Sequence, residues 1–387
     1  MNFELSDEQR MILEYGDNVA KKFDRKYWMK CADENRSPRE LWNQIAEDGF
    51  VGMMVDEQYG GAGLGMMELA LLMEGMAANG IPLLSLVVGS GMAMPLINKH
   101  GSEQLKQRLL PDACTGKTKL CFAITEPDAG SNTIKITTIA KPQGDGTYRL
   151  NGQKYFISDA DDSDYVLLVT RTIPANEVKH KTDGFTLFMV DLKAKGIDMK
   201  IIDMSVPVPE NQFFLFFDDV ELTDDDIVGE KDKGFDILFD CLNPERILVG
   251  AVSTGLGRYA LDRAVEYANE RVVFKGPIGA YQGLQHPLAA AKAEIEMSSL
   301  MTHKAAWMFD QGRPAGEFSS YVKYFSAEAA CHAVDSSLQC FGGNGFTKEY
   351  GIFDIYPMTR LLRTAPLNRE MILNYIGQHV MGLPRSY

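Results

Sequence analysis

The sequence has no CxxC pair and no grouping of histidines with cysteines. Its six cysteines, Cys31, Cys114, Cys121, Cys241, Cys331 and Cys340, are scattered along the chain. That spacing excludes a zinc module and a disulfide framework and fits reduced thiols in a reducing compartment. No metal site is expected. No apolar run approaches the roughly 20 residues that a membrane-crossing helix needs. The opening "MNFELSDEQR" carries acids and lacks an apolar core, so it reads neither as a signal peptide nor as a transit peptide. Positive charge is also in deficit: 39 basic against 53 acidic residues leave a formal net charge of −14. Broad binding to a nucleic-acid backbone is excluded, and an anionic ligand would need a local basic site. A cytoplasmic enzyme or binding protein is expected.

What is present is an ordinary globular composition, 45% hydrophobic and 24% charged over 387 residues, enough for two or three structural units. The first stretch reads as helices. "LSDEQRMIL" has Ser6 as N-cap with Gln9 three residues on, a capping box. "RSPRELWNQIAEDGF" repeats the pattern with Ser37, Pro38 and Glu40, a stripe of Leu41, Ile45 and Ala46, and Gly49 as the stop. "GMMELALLMEGMAANG" is apolar nearly all round, as a buried helix would be. Near Lys117 the texture changes. "KLCFAIT", "KITTIAKP", "TYRLNGQKYFIS", "YVLLVTRT", "FTLFMVDL" and "NQFFLFFDDVEL" are β-branched or aromatic segments separated by turn residues. They predict an antiparallel β-domain. From Gly229 the chain turns helical again, over about 234–242, 244–272, 281–311, 315–341 and 358–381. The order predicts an α+β fold with a helical domain over 1–117, a β-domain over 118–228 and a second helical domain over 229–387.

Two stretches stand out chemically. In "LNPERILVGAV", Asn243 suits an N-cap and Pro244 a first helical turn. Glu245 follows, on the same stripe as Leu248, Val249 and Val252 at about 100° per residue. It reads either as a first-turn acid at the positive end of the helix dipole or as a buried base. "CFAITEPDAGSN" ends a strand in a turn offering backbone N–H groups and two hydroxyls, suited to an anionic or carbonyl-rich ligand.

Thr125-Glu126-Pro127 followed by Ala129-Gly130-Ser131 resembles the signature of the acyl-CoA dehydrogenase family. So do "NGQKYFISDAD", "DDVELTDDDIVGEKDKGF", "RYALDRAVEYANERVVFKGPIGAYQGLQ", "LQCFGGNGFTKEY" and "DEQYGGAGLG", in the family's order over nearly the whole chain. The resemblance implies N-terminal helices, a middle antiparallel β-barrel and a C-terminal four-helix bundle. It implies FAD, a homotetramer, oxidation of an acyl-CoA thioester to the 2-enoyl-CoA, and electron-transfer flavoprotein as acceptor. The flavin would be held by Phe122, Ile124, Thr125, Gly130, Ser131, Phe156 and Ser158, with Phe156 against the ring and Ser158 near its N5. Arg271 would reach the pyrophosphate of a neighbouring subunit's FAD, with Phe274 and Gln282 nearby, and Gln339, Gly342 and Gly343 would cover its adenosine part. Arg246 would floor the acyl-CoA site, joined by Ser131. Asn243 stands where relatives often have an acid contacting CoA.

The sequence departs from the family's commoner pattern near its C-terminus. Many relatives carry the base in a Tyr-Glu-Gly-Thr turn, and "RLLRTAPLNREMILNYIGQHVMGLPRSY" has none. The counted position falls at about Ile372, with Glu370 two residues away. A smaller branch, with isovaleryl- and long-chain-type enzymes and crotonobetainyl-CoA reductase-like proteins, carries its glutamate immediately before the arginine of the long helix. Glu245-Arg246 matches that pair, which makes Glu245 the expected base. "MSVPVPEN" also differs from relatives, which often show Gly and Ser or Thr there. Three alternatives stand beside the dehydrogenase: an enoyl-CoA reductase running the reaction in reverse, a flavin-binding subunit without a base, and an oxidase. The last would lack the extra C-terminal domain typical of acyl-CoA oxidases.

Overall fold

The computed structural model describes residues 4–385. Residues 1–3, part of the stretch read above as lacking a leader, lie outside them. Helix α1 (Asp7–Asp33) starts in the expected capping box, the Ser6 hydroxyl accepting from Gln9 N–H and the Gln9 side chain from Ser6 N–H, each at 3.1 Å. Helix α2 (Arg39–Glu47) starts differently from expectation. Pro38 occupies the cap position and the Ser37 hydroxyl accepts instead from Lys119 Nζ at 3.3 Å. Its stripe is buried and Gly49 ends it at φ 86°. Helix α3 (Met66–Ala77) is buried nearly all round. It lies against α1 so closely that a Cβ on Gly75 would sit 2.5 Å from Leu13 O. A wide-turn π-helical segment, Leu86–Ala93, then runs into α4 (Met94–His100), and α5 (Glu103–Cys114) closes the first unit.

The β-unit has strands β1 (Leu120–Ala123), β2 (Ile139–Pro142), β3 (Thr147–Ser158), β4 (Tyr165–Arg171), β5 (Phe185–Asp191), β6 (Ile197–Ile202), β7 (Gln212–Thr223) and β8 (Ile227–Val228). The six expected segments are all strands; β6 and β8 are additions. Strand order is β6-β7-β3-β2-β4-β5-β8, with β1 beside β4. Two pairings, β1 with β4 and β2 with β4, are parallel, so the sheet is mixed and not wholly antiparallel. The sheet folds over on itself: Tyr148 of β3 meets Phe188 of β5 at a ring separation of 5.2 Å, although β2 and β4 lie between those strands. Among the described residues its edges β6 and β8 do not pair with each other, so the barrel is open.

The last unit holds a short α6 (Gly234–Ile237) and three long helices, α7 (Phe239–Glu270), α8 (Gln282–Asp310) and α9 (Gly316–Phe341). A small hairpin, β9 (Val272–Val273) and β10 (Gly276–Pro277), links α7 to α8. Two expectations fail here. Helix α7 runs straight through Asn243 and Pro244, so Asn243 is not an N-cap and Glu245 is the seventh residue of the helix. The expected helix over 358–381 is broken into α10 (Tyr356–Leu362) and α11 (Arg369–Tyr375), the latter continued by a π-turn over Ile376–Val380. Pro366 explains the break, since it has no N–H for a helix and keeps its predecessor out of helical conformation. Asn368 restarts the chain, its side chain accepting from Met371 N–H at 2.9 Å. The bundle is therefore three long helices and a broken fourth.

Candidate active site

The turn after β1 is braced from beneath. Glu126 and Ala129 exchange backbone bonds at 3.1 and 3.2 Å. The buried Glu126 carboxylate accepts from Thr137 N–H, Thr138 N–H and the Thr137 hydroxyl at 2.8–3.0 Å, and from Lys154 Nζ at 2.9 Å. Lys154 is itself buried in β3 and also donates to Ile124 O at 2.9 Å. This pair ties the turn to β3, so Thr125 O accepts from Tyr155 N–H at 2.8 Å. The Lys154 charge and the hydrogen bonds from Thr138 and Thr137 keep Glu126 below the usual carboxylate range despite its burial, and burial lowers Lys154 to about 8. Phe122 is buried in β1, and Ile124 is half-buried beside Thr125.

Immediately after Lys154 the β3–β7 register slips. The slip leaves Phe156 at φ 60° with 48% of its surface exposed. A left-handed conformation is an outlier for a bulky residue and persists only where the surroundings enforce it. Here the anchored Lys154 precedes it, the Tyr155 ring packs 4.2 Å from it, and the buried Ile157 follows. Ser158 shares its hydroxyl with the Gln212 side chain, 2.8 Å from Nε2. Gly130 has open space where a Cβ would stand. Ser131 accepts from Asn368 Nδ2 at 2.7 Å, which lands the restart of the broken helix on this turn. A bare aromatic face, a turn open to close backbone approach and hydroxyls at Thr125 and Ser158 fit a flavin. These donors matter because an unpaired buried polar atom on the cofactor would cost about 1–3 kcal/mol.

Glu245 lies half-buried on α7, and its carboxylate makes no hydrogen bond among the described residues. Burial pushes its carboxyl up to about 7, opposed by the charges of Arg246 and Lys323. The Arg246 side chain is buried and directed elsewhere, to Asn243 Oδ1 at 3.3 Å and Ser320 Oγ at 3.5 Å. Asn243 also accepts from Ser319 at 3.1 Å. Glu370 is quite different: its side chain is 72% exposed and faces Arg369 at 3.2 Å, while Ile372 is core.

The remaining expected residues lie apart, on the outer surface of the last unit. Arg271 is exposed at the start of the hairpin, without a side-chain partner among the described residues. Phe274, at its tip, is 94% exposed with φ 58°, and Gln282 is exposed just beyond. Gln339 and Gly342 line a groove of about 430 Å³ with Phe346 and Phe353, and Gly343 is exposed beside them.

Sequence reasoning missed three sets of residues. One is the Glu126–Lys154 pair. The second is a buried cluster where Asp159 Oδ2 accepts from Lys119 Nζ at 2.6 Å and from the Ser85 hydroxyl at 2.8 Å. Beside it Glu210, in the atypical "MSVPVPEN" passage, accepts from Leu84 N–H at 2.7 Å and leaves Oε2 unpaired. Burial first, and then the Asp159 charge, raise Glu210 to about 8. The third is Lys323. A lysine within an otherwise strand-like or apolar pattern, as at 119 and 154, was the available signal.

The family model for the acyl-CoA dehydrogenase N-terminal domain matches residues 6–117, that for the middle domain 121–220, and that for the C-terminal domain 232–381. The acyl-CoA dehydrogenase FadE12 of Mycobacterium tuberculosis is 43% identical over 384 residues, covering 99% of this chain and 98% of that protein. A 3-(aryl)acrylate reductase of Clostridium sporogenes is 32% identical over 331 residues, 84% of this chain and 85% of that one. The structure of butyryl-CoA dehydrogenase from Megasphaera elsdenii is similar with a TM-score of 0.93 at 27% identity, over 98% of this chain and 100% of that one. Among the described residues no helix is long and apolar enough to cross a membrane. The three matching family models and these relatives show that the chain belongs to the acyl-CoA dehydrogenase family, FAD-dependent oxidoreductases acting on acyl-CoA.

Proposed function

We propose that this protein dehydrogenates an acyl-CoA thioester to the 2-enoyl-CoA with Glu245 as the base. The carrying observation is the contrast between two carboxylates: Glu245, half-buried, unbonded and raised to about 7, and Glu370 on the surface. A base for a weakly acidic α-proton works best near neutrality. Burial supplies that strength, and Arg246, turned towards Asn243 and Ser320, leaves the carboxylate lone pairs free. Arg246, Asn243 and Ser131 are the proposed contacts for the thioester ligand. Bound FAD supplies the acceptor for the β-hydrogen and its two electrons. Phe156 would flank its ring, Ser158 and Thr125 would bond its polar edge, and Phe122, Ile124, Gly130 and Ser131 would line its approach. Arg271, Phe274, Gln282, Gln339, Gly342 and Gly343 are proposed to reach the FAD of a neighbouring subunit, which supports a homotetramer. Electron-transfer flavoprotein is the proposed electron acceptor and the cytoplasm the proposed location.

The relative named as a 3-(aryl)acrylate reductase favours a second reading on the same site, reduction of a 2-enoyl thioester. Anaerobic mixing with a panel of acyl-CoAs tests both. Bleaching of the flavin by a saturated acyl-CoA supports dehydrogenation. Bleaching by none of them, with re-oxidation of pre-reduced protein by an enoyl-CoA, supports the reductase. A colourless protein that takes up no FAD, or one inert in both directions, overturns the proposal.

A further inference from the structure

Helix α9 crosses α7 beside Glu245. A Cβ on Gly250 would lie 2.1 Å from Val322 Cγ1, so the two backbones approach closely there. At the same crossing Arg246 reaches Ser320. Lys323 lies three residues beyond Ser320, on the same face of α9. It is 1% exposed, and its Nζ donates to Leu362 O, the last residue of α10. That carbonyl has no partner within its own helix. One bond leaves two ammonium hydrogens, and among the described residues no carboxylate lies within ion-pair distance of Lys323. A buried ammonium without a counter-charge is costly.

The charges around it limit the choice. Glu328 on α9 is engaged by Arg363 and Arg369. Arg246 repels Lys323, and Tyr375 of α11 faces Arg246. The half-buried Cys331 on α9 and the buried Cys241 on α7 are thiols that burial pushes towards their neutral form. The segment 86–93, packed against α7, carries no charged residue. Glu245 remains.

We propose that Lys323 is the counter-charge of Glu245, a positioning residue held on the last carbonyl of α10 that sets how readily the base gives up its proton. The inference rests on the base reading above. Burial drives Glu245 up to about 7 and Lys323 down to about 8, and each charge holds the other back. Between those values both groups are mainly charged. The broken fourth helix thereby gains a role: its first half delivers the carbonyl that fixes the ammonium.

The test uses FAD-loaded Lys323→Gln, Lys323→Met and Lys323→Arg proteins beside the parent. The glutamine can still donate to Leu362 O; the methionine keeps the packing. Single-turnover flavin bleaching is followed from pH 5.5 to 9 with an acyl-CoA that reduces the parent. Without the cation, the midpoint of the acid limb should move up by about one pH unit, with the high-pH plateau kept within a few-fold. Arginine should restore the parental midpoint. A lowered plateau or melting temperature with an unmoved midpoint overturns the proposal. So does loss of FAD from both uncharged variants while arginine behaves as the parent, since the ammonium then serves the fold alone. Glu245→Gln separates the two readings: parental bleaching in that protein removes the base itself, whereas an inert Glu245→Gln with an unmoved Lys323→Gln midpoint removes only the counter-charge.

Discussion

The proposed base, Glu245, can be tested by its strength as well as by its removal. A carboxyl at about 7 is ionised to roughly one-tenth at pH 6 and nine-tenths at pH 8. Flavin reduction by a saturating acyl-CoA should therefore rise about tenfold over that interval, where an ordinary glutamate would give a flat profile. Glu245→Gln keeps the volume and removes the proton acceptor. The loss should be at least the roughly 10²–10⁴-fold of a general base, about 3–5 kcal/mol in the barrier. It should be greatest at pH 8 and about tenfold smaller at pH 6, where the parent is itself mostly protonated. Glu370→Gln is the control; at 72% exposure and bonded only to Arg369, it should stay within about twofold. Stability should run the other way. The folded Glu245 pKa lies above its unfolded value, so its contribution is full at low pH and is lost as pH rises through about 7. The inactive Glu245→Gln protein should then melt higher than the parent at pH 8 and like it at pH 5. Anaerobic stopped-flow bleaching and thermal melts at both pH values read the two halves. A flat parental profile between pH 6 and 8, or near-parental bleaching by Glu245→Gln, refutes the assignment.

Other perturbations address the rest of the site. Phe156→Ala should reduce FAD retention far more than folding, because half of that ring faces solvent; equal losses of bound flavin absorbance and melting temperature would make it a packing residue. Arg271→Ala should weaken FAD binding without unfolding the chain, since no partner on its own chain holds it among the described residues. If light scattering finds the parent a monomer with full FAD, the trans role of Arg271 is wrong. Glu210→Gln should raise the melting temperature at pH 8.5 and change it little at pH 4.5. Its burial-raised carboxyl favours the folded state only while protonated, and that contribution disappears as pH rises through about 8. A larger gain at pH 4.5 than at pH 8.5 would refute this.

The middle strands were legible because alternating β-branched and aromatic residues make a period that survives any partner. Strand β6, "IDMKII", escaped because it is an edge strand with charged residues facing out. The Ser37 capping box was wrong because Pro38 shifts the helix start and Lys119, 82 residues away, claims the hydroxyl. The same non-local logic hid the brace beneath the turn proposed to hold the flavin. Glu126 and Lys154 lie 28 residues apart, and each alone is a charged residue near a strand. Only the sheet register brings them together. Arg271 and Gln339 were legible as motif residues, yet their proposed ligand belongs to another subunit, so one chain shows them only as exposed.

Glu245 shows most clearly how a local signal can single out a residue for an incomplete reason. Asn-Pro-Glu reads as a helix start, and at a helix start the backbone N–H groups stabilise a carboxylate and make it a poor base. The fold instead begins the helix at Phe239 and carries it through Pro244. An interior proline forfeits a backbone bond and crowds the preceding turn, at about 3 kcal/mol in a simple helix. In exchange Glu245 is moved past the first turn, beyond which the dipole effect falls away. What is left to oppose burial is the charge of Arg246 and of Lys323. The strength of the proposed base would thus depend on where the helix starts, on Arg246 beside it and on the cation proposed to face it from α9. Neither the helix start nor that cation follows from the eleven residues that first drew attention to the acid.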